Sequence, residues 1–427
     1  MAALAGVAAA LGCTDLTRVD APDLVQPPAL NNPQGATALY NGAITLFASA
    51  YNGTSQGLLT SAASAVMASG LVSDELGNAA QASINDSFDS RNVGETASGV
   101  TVVFTALSQA RVNALAALQV MQEVAPAPAS RIGQLFALAG YSEILLAELY
   151  CSGVPLTEVE DGAPVSYGTP LSTAELFQQA ANDFDSALVY AADSARILNL
   201  ARVGKARALL NLGRFSDAAA AAAPVPTTYS YVTEHSSAIQ PNNLASSFTA
   251  GTITVSEREG QNGLDFRTAG DPRVRAAFLR TGTDGVTPVW RLTTLTAGAA
   301  APTVLASGVE ARLIQAEGAL QGGDASGWLN TLNTLRATVS LPPLADPGTT
   351  AARVDLHFRE RAFWLFATAH RQGDLRRLVR QYMRAPESVF PTGPYRAGRA
   401  YGPDVTIAPP TTEGRNPNYT GCLSREA

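Results

Sequence analysis

The sequence predicts a mainly α-helical protein, in which stacked antiparallel helical hairpins form a superhelical scaffold and one long loop-rich insertion interrupts them. Two observations lead to this prediction. Apolar residues recur at three- and four-residue steps in several segments, for example over 104–121 and 177–188, which places them on one helix face. Residues 224–307 lack that period and are rich in Gly, Thr, Ser, Pro and Asn. With 427 residues, 46% of them hydrophobic, the chain can bury a large core.

The charge balance argues against two classes of protein. The chain has 29 basic and 36 acidic residues and a net charge of −7, whereas nucleic-acid binding needs a basic surface. Charged residues make up only 15% of the chain, and its hydrophobic content is too high for a disordered acidic protein. We therefore expect a folded protein that does not bind nucleic acid.

The N-terminal segment is typical of a lipoprotein precursor. Residues 1–12 are small and apolar and run into Gly-Cys, so we expect a signal-peptide remnant there and lipidation of Cys13. Residues 13–35, rich in Pro, Asp and Asn, are expected to tether the lipid to one folded domain over 36–427. No Lys or Arg precedes Cys13, and Ala10 stands where Leu is usual. An ordinary cleaved signal or a buried helix is therefore the alternative.

Helices are expected in the first half of that domain. Apolar periodicity predicts them over 36–51, 104–121 and 132–150. Ser172 with Glu175 three residues later forms a capping box, in which each side chain satisfies a backbone N–H at a helix start. A further helix is therefore expected to begin at Ser172.

A turn near the middle of the chain predicts the hairpin type. In Gly213-x-Phe215-x-x-Ala218, the Gly ends one helix, the Phe wedges between the two helices and the Ala lets them approach closely. This spacing is typical of tetratricopeptide-like hairpins. It recurs loosely over 311–335, where Gly322-Gly323 separates two predicted helices. Such hairpins stack so that each one buries a face of its neighbour.

The loop-rich segment 224–307 is expected to be functional or disordered, as long irregular insertions usually are. Its aromatic residues argue for order: Tyr229, Tyr231, Phe248, Phe266 and Trp290.

Near the C-terminus, residues 358–377 are expected to form one helix that mixes an apolar stripe with arginines. Those cations need acidic partners, or they must extend to solvent.

Catalytic motifs are not found in the sequence. Its three histidines, His235, His357 and His370, are too far apart in sequence for a helical pair, and no His-Glu-x-x-His, Gly-x-Ser-x-Gly or Cys-x-x-Cys occurs. We therefore expect no catalytic residues, no metal site, no cofactor and no enzymatic activity. A glycosidase needs only two carboxylates, which no motif would reveal, so a hydrolase stays a third-ranked alternative.

Binding of a sugar or a peptide is the better-supported expectation. A pyranose ring offers an apolar face, which packs on aromatic rings, and a rim of hydroxyls, which bind planar polar groups. The ligand-binding candidates are Asn85, Phe88, Arg91, Tyr229, Tyr231, Arg273 and Trp290. The alternative is that Trp290 and Phe266 only fill the core under a long loop.

Two further cysteines, Cys151 and Cys422, each border an irregular segment. In an exported protein they can pair as a disulfide, and two inert thiols are the alternative.

The order of several short segments resembles the SusD/RagB family of outer-membrane nutrient-binding lipoproteins. Besides Gly-Cys13 and the hairpin at Gly213, the segments that carry this resemblance are Leu71–Glu75, Cys151–Leu156, Gly270–Arg273, Glu310–Ala319, Asn330–Arg336, Arg361–Arg377, Phe390–Pro394 and Asn416–Asn418. The resemblance implies a helical scaffold of tetratricopeptide-like hairpins with a loop-rich face. Proteins of this family are not enzymes.

The resemblance also implies a function. Members sit on the outer face of the outer membrane, capture glycans or peptides, and act as a lid on a SusC-like TonB-dependent transporter. Starch-binding members place Trp in the loop that corresponds to residues 78–99, where this chain has only Phe88, which argues against starch. The alternative function is a helical-repeat scaffold that binds another protein and no nutrient.

Overall fold

A computed structural model describes residues 30–53, 64–81, 84–97, 99–157, 166–295 and 297–427. Within those residues it has thirteen α-helices and eight short β-strands. The helices are α1 Pro33–Asn52, α2 Ala65–Val72, α3 Ile84–Asp89, α4 Val100–Val124, α5 Ala129–Leu149, α6 Thr173–Tyr190, α7 Ala195–Asn211, α8 Phe215–Ala222, α9 Asn243–Ala250, α10 Gly308–Gln321, α11 Ala325–Ala337, α12 Thr350–Trp364 and α13 Arg371–Arg380. The strands are β1 Leu76–Asn78, β2 Val154–Pro155, β3 Pro170–Leu171, β4 Ser230–Thr233, β5 Ile253–Val255, β6 Ala276–Thr281, β7 Pro288–Leu292 and β8 Thr303–Ser307. The mainly α-helical prediction is confirmed.

Antiparallel helical hairpins form the scaffold, as predicted. Consecutive helices pack together in the pairs α4–α5, α6–α7, α7–α8 and α10–α11, and α5 and α6 join neighbouring hairpins. Gly213 ends the first helix of the predicted unit with φ 74°, a left-handed conformation that favours glycine. Gly323, with φ 83°, has the same role between α10 and α11.

Close helix packing explains two glycines in the helix interiors. A Cβ added at Gly204 of α7 would lie 2.2 Å from the ring of Phe184, and one added at Gly140 of α5 would lie 3.0 Å from it. The Phe184 ring also contacts Tyr141 edge-on at 5.0 Å. The two glycines therefore make room for one aromatic ring where three helices meet.

The helices α4 and α5 are long and apolar enough, by length and composition, to cross a membrane. In α5, however, 94% of the apolar window is buried inside the protein, because α5 is the central helix of the core. In α4 the buried share is 44%, as expected for a helix with one face on the core.

The first helix begins earlier than the predicted domain organisation implies. Helix α1 begins at Pro33, inside the segment 13–35 that we expected to be a tether. The side chain of Asn32 caps this helix by accepting hydrogen bonds from the N–H groups of Gln34 and Gly35. Cys13 and the expected signal remnant lie outside the described residues.

The loop-rich segment 224–307 contains five of the strands and one helix. The strands form antiparallel pairs, β4 with β8, β5 with β1 and β6 with β7. We expected no helix here, but α9 forms because Asn242 caps it by accepting from the N–H of Ala245. Eight residues are too few to show a clear helical period in the sequence.

The predicted helix over 358–377 is broken. Residues 365–370 separate α12 from α13, and Ala367 and Ala369 adopt left-handed φ values of 56° and 58°. Such values are unusual for residues with a Cβ, so the surrounding structure must hold them in place. One such contact is a hydrogen bond from the N–H of Ala367 to Oε1 of Glu75, at 3.3 Å.

Three arginines of this region are buried and paired with carboxylates, so their charges do not extend to solvent. Arg359 is the exception at the surface, with 38% of its side chain exposed beside Asp265, and the buried Arg376 donates to backbone carbonyls. Arg361 binds Asp374 in a fork–fork pair at 2.8 and 2.9 Å, and Arg371 binds Asp74 at 2.6 and 2.9 Å. Arg377 binds Glu317 at 2.5 and 3.0 Å. Parallel N–H···O bonds of this kind fix geometry as well as charge.

Removal of one partner from this network should be costly. We expect Arg377→Met to lower the free energy of unfolding by about 3–5 kcal/mol, because Glu317 would be left as a buried carboxylate without its guanidinium. Urea denaturation measures the change. The matched control is Arg353→Met, which removes the exposed pair with Asp346 and should alter stability little. Equal losses in the two variants would contradict the proposed role of the buried pair.

Glu75 has an unusual electrostatic position beneath α13. It is 1% exposed, and its Oε2 has no hydrogen-bond partner. Burial raises the pKa of Glu75 to about 8; the nearby Asp74 also raises it, and Arg371 lowers it. Glu75 is therefore protonated at neutral pH in the folded state.

This protonation predicts a pH dependence of stability. Because the folded pKa lies above the ordinary value of 4.5, the contribution of Glu75 is fully present below pH 4.5 and is lost as the pH rises through about 8. The neutral variant Glu75→Gln should gain stability relative to the wild type, by a few kcal/mol, between about pH 5 and pH 9. Unfolding measured across that range tests this, and a constant difference would refute it.

Candidate ligand-binding face

Two small sheets form a platform on the loop-rich side of the molecule. Strand β7 pairs with β6, and β5 pairs with β1. A single side chain joins the two sheets: the hydroxyl of Thr254 donates to the carbonyl of Pro288 at 3.0 Å and accepts from the N–H of Trp290 at 2.9 Å. The backbone at Trp290 is therefore fixed on β5.

The β6–β7 hairpin presents a pair of aromatic rings. Phe278 and Trp290 are opposite each other in the register, and their rings meet edge-on with centroids 6.0 Å apart. Phe278 is 57% exposed, and Trp290 is half-buried. The guanidinium of Arg267 lies 5.1 Å from the Trp290 ring centroid. An exposed ring beside a guanidinium suits a ligand that has an apolar face and a polar rim.

Arg267 is held beside Trp290 by its own loop. The carboxylate of Glu257 accepts from the N–H groups of Arg267 and Thr268 at 2.8 and 3.1 Å. The Nε atom of Arg267 is buried without a hydrogen-bond partner, and burial lowers the pKa of this guanidinium. Because this Nε atom also lies 3.9 Å from the Glu257 carboxylate, Arg267 is a positioned cation beside the Trp290 ring.

The turn of the hairpin is anchored at both ends. The N–H groups of Thr283 and Asp284 donate to the carbonyls of Gly251 and Ala79 at 3.0 and 3.1 Å, and Arg396 binds the Asp284 carboxylate at 3.1 Å. A Cβ at Gly282 would lie 2.4 Å from the carbonyl oxygen of Ala79, so this close approach needs glycine. The aromatic pair therefore sits on a rigid hairpin.

A cluster of acids and tyrosines borders the platform. The hydroxyl of Tyr395 donates to Asp89 at 2.6 Å, and the hydroxyl of Tyr401 donates to Glu259. Burial, with the charge of Glu259 as the next cause, raises the pKa of Asp89 to about 8. Arg399 binds Asp86 at 2.7 Å. These bonds hold α3 against the 393–401 loop, and the buried Oδ1 of Asp89 is left without a hydrogen-bond partner.

Three predicted ligand-binding residues lie inside the protein. Asn85 and Phe88 are fully buried in α3. Arg91 is also fully buried; its Nε donates to the carbonyl of Asp404 at 3.0 Å, and its guanidinium lies over the Phe390 ring. In this conformation these side chains offer no surface to a ligand and instead hold the loop together.

A fourth predicted residue, Arg273, is also engaged internally. It binds Asp271 and Glu360, each at 2.6 Å, and its guanidinium lies about equally near the rings of Phe363 and Trp364, at 5.3 and 5.0 Å. Its side chain is 4% exposed. Arg273 therefore joins the loop-rich segment to α12.

The remaining candidates lie at two separate places. Trp290 belongs to the aromatic pair, whereas Tyr229 and Tyr231 lie by α7 and β4, where the Tyr229 hydroxyl donates to the carbonyl of Arg196 at 2.8 Å. The sequence analysis missed Phe278 and Arg267. Phe278 could have been found from the turn residues Gly282–Gly285 between two short alternating runs, which is a hairpin signal.

The two cysteines of the folded domain and the groups that could bind a metal complete the description of the predicted sites. Cys151 and Cys422 form a disulfide, with Cα atoms 6.0 Å apart, across 271 residues of chain. In the described residues, no group of three or more His, Cys, Asp or Glu side chains has an arrangement that could hold a metal ion.

Comparison with solved structures identifies the fold. A SusD superfamily protein from Parabacteroides distasonis superposes with a TM-score of 0.70 at 13% identity, covering 92% of this chain and 99% of that chain. A SusD-like carbohydrate binding protein from Bacteroides vulgatus gives 0.61 at 14% identity, covering 81% and 83%. A laminarin binding SusD-like protein gives 0.66 at 15% identity, covering 92% and 99%. The chain therefore has the SusD-like fold, as the sequence resemblance implied.

No protein-family model and no curated protein matches the chain.

Proposed function

We propose that this protein, with its SusD-like fold, is a binding protein of the SusD/RagB type that captures glycans at the cell surface. The observation that carries the proposal is the Phe278–Trp290 pair with Arg267, on a rigid hairpin of the loop-rich side. Two structural neighbours support the ligand class, since they are described as carbohydrate binding and laminarin binding. A peptide is the alternative ligand. Capture needs no catalytic group, so we propose no enzymatic activity.

Delivery to a membrane transporter is the second half of the proposal. We propose that lipidated Cys13 anchors the protein to the outer membrane, because a multiply acylated cysteine binds a bilayer firmly. The bound glycan then passes to a SusC-like TonB-dependent transporter, as the family resemblance implies. Of the seven predicted ligand-binding residues, only Trp290 is proposed for the aromatic site.

The aromatic site is tested by loss of glycan binding. Calorimetric titration with a panel of soluble glycans that includes laminarin should identify a ligand of the wild type. Phe278→Ala should weaken its binding at least tenfold, because the exposed ring supplies contact area for the sugar, and tenfold equals about 1.4 kcal/mol. The matched control is Val286→Ala, which removes an 80% exposed apolar side chain from the same hairpin and should leave binding unchanged.

Substitution of Trp290 tests whether this residue binds the ligand or only packs in the core. Trp290→Ala should abolish binding with little change in the melting temperature, whereas a large fall in melting temperature with binding intact would make Trp290 a core residue. A protein that binds none of the glycans, or a Phe278→Ala variant that binds normally, would overturn the proposed site.

The transport role is tested through the partner. Affinity purification of the tagged, membrane-extracted protein should recover a large β-barrel receptor, identified by mass spectrometry. Recovery of the protein alone, or with soluble partners only, would contradict the transport role and favour the alternative of a helical-repeat interaction scaffold.

A further inference from the structure

A groove on another part of the molecule collects polar and aromatic side chains that the aromatic pair does not use. It lies between α1, α5, α7 and β4 and has a volume of about 370 Å³, within the usual range for small-ligand sites. Ile44, Phe47 and Leu138 form its apolar floor. No residue that lines it belongs to the β6–β7 hairpin or its supporting loops.

A chain of hydrogen bonds crosses one wall of the groove. The Tyr40 hydroxyl of α1 donates to Oε1 of Gln134 at 2.5 Å, and Nε2 of Gln134 donates to the Tyr231 hydroxyl of β4 at 2.7 Å. Burial raises the pKa of both tyrosines, so both remain neutral hydroxyls. Because the bonds run in one direction, the Tyr231 hydroxyl keeps its own hydrogen for a further acceptor, and the Tyr40 oxygen keeps a lone pair for a donor.

One arginine, Arg196, lines the groove, and a second, Arg131, lies near Tyr40 but outside the lining. The guanidinium of Arg196 stacks 4.2 Å from the Tyr231 ring centroid, and that of Arg131 lies 5.3 Å from the Tyr40 ring centroid. Both charges act on the Tyr40 hydroxyl, where they lower the pKa against the larger effect of burial. A guanidinium that stacks on a ring through its face keeps the N–H groups of its edge available. Two of those N–H groups can bind both oxygens of one carboxylate.

These arginines differ from the buried arginines of the scaffold. Across the described residues, neither Arg131 nor Arg196 has a carboxylate within ion-pair distance, whereas Arg207 and Arg377 are each paired with a glutamate. One acid, Glu234, lines the groove, but it is exposed and solvated. Arg196 therefore keeps a guanidinium without an ion-pair partner in the groove, beside hydrogen-bonding groups suited to hydroxyls.

We propose that this groove is a second binding site, which takes a sugar that carries a carboxylate, such as a hexuronate unit. Arg196 binds the carboxylate, Arg131 adds positive charge from outside the lining, and the Tyr40–Gln134–Tyr231 chain binds the neighbouring hydroxyls. Gln240 steadies the α1 wall by donating to the carbonyl of Thr45 at 2.9 Å. The site goes beyond the proposed function, because it uses other residues and a charged ligand class.

The test compares two probes that share a sugar skeleton and differ in whether their carboxyl groups carry charge. Wild-type protein is titrated at low salt with trigalacturonate and with its methyl ester, which has the same sugar skeleton and no carboxylate. We expect the acid to bind at least tenfold more tightly than the ester, and the difference to shrink in high salt. Arg196→Gln should weaken binding of the acid at least tenfold, and Arg131→Gln, which removes a charge outside the lining, should weaken it less.

Two control variants test whether the acid binds in this groove. Arg202→Gln removes the same charge from the same helix, where Arg202 donates to the Asn199 side chain outside the groove, and should bind trigalacturonate normally. Phe278→Ala should also bind it normally, even if that variant loses the glycan of the aromatic site. Equal binding of acid and ester, no binding of either, or equal losses in Arg196→Gln and Arg202→Gln would overturn the proposal. Loss in Phe278→Ala would overturn it too and assign the anion to the aromatic site.

Discussion

The buried arginine–carboxylate pairs around α13 are the constraint on which the rest of the structure depends. Arg371 reaches Asp74, 297 residues earlier in the chain, and Arg377 reaches Glu317 in α10. Burial alone would raise the pKa of Glu317, but Arg377 and His357 hold it well below its ordinary value. Every such charge must keep its partner once water is excluded, so the network fixes how the terminal helices sit on the hairpins. Apolar contacts alone fix the relative position of neighbouring helices only loosely. The buried ion pairs therefore give the helix packing a defined register.

The candidate ligand-binding face inherits its rigidity from this network. Asp74 also accepts a hydrogen bond from the N–H of Leu264 at 2.9 Å, so the acid that binds α13 also positions the loop that leads to Arg267. Arg273 connects the next turn of the same loop to Glu360 of α12. The loop-rich segment is thus attached to the scaffold by charge-assisted bonds. A surface held in this way binds with a small entropic cost, since few of its groups must be ordered by the ligand.

Local signals in the sequence predicted the scaffold better than the site. Gly213 and Gly323 mark helix ends through a backbone conformation that glycine favours, so the hairpins were predictable. The break at 365–370 was not, because Ala367 and Ala369 give no local signal and are held by distant groups such as Glu75. Arg91 was chosen as a ligand-binding candidate because its residue type suits a ligand, but the carbonyl of Asp404 that binds it lies 313 residues away. Trp290 was predictable as an aromatic residue of the loop-rich segment, and the turn residues Gly282–Gly285 signal the hairpin that carries Phe278. That these two rings face each other follows only from the register of β6 and β7.

Both proposed binding surfaces rest on the same broken segment between α12 and α13. The Tyr51 hydroxyl of α1, whose helix forms one wall of the groove, lies 2.9 Å from the carbonyl oxygen of Thr368 and 2.7 Å from that of Val304. On the other side, Glu75 joins the segment to β1 and so to the aromatic platform. Coupling between two sites requires an element whose two arrangements bind the ligands differently. The segment is fixed from both sides by buried contacts and so does not supply such an element. Occupation of one surface should therefore leave the affinity of the other unchanged.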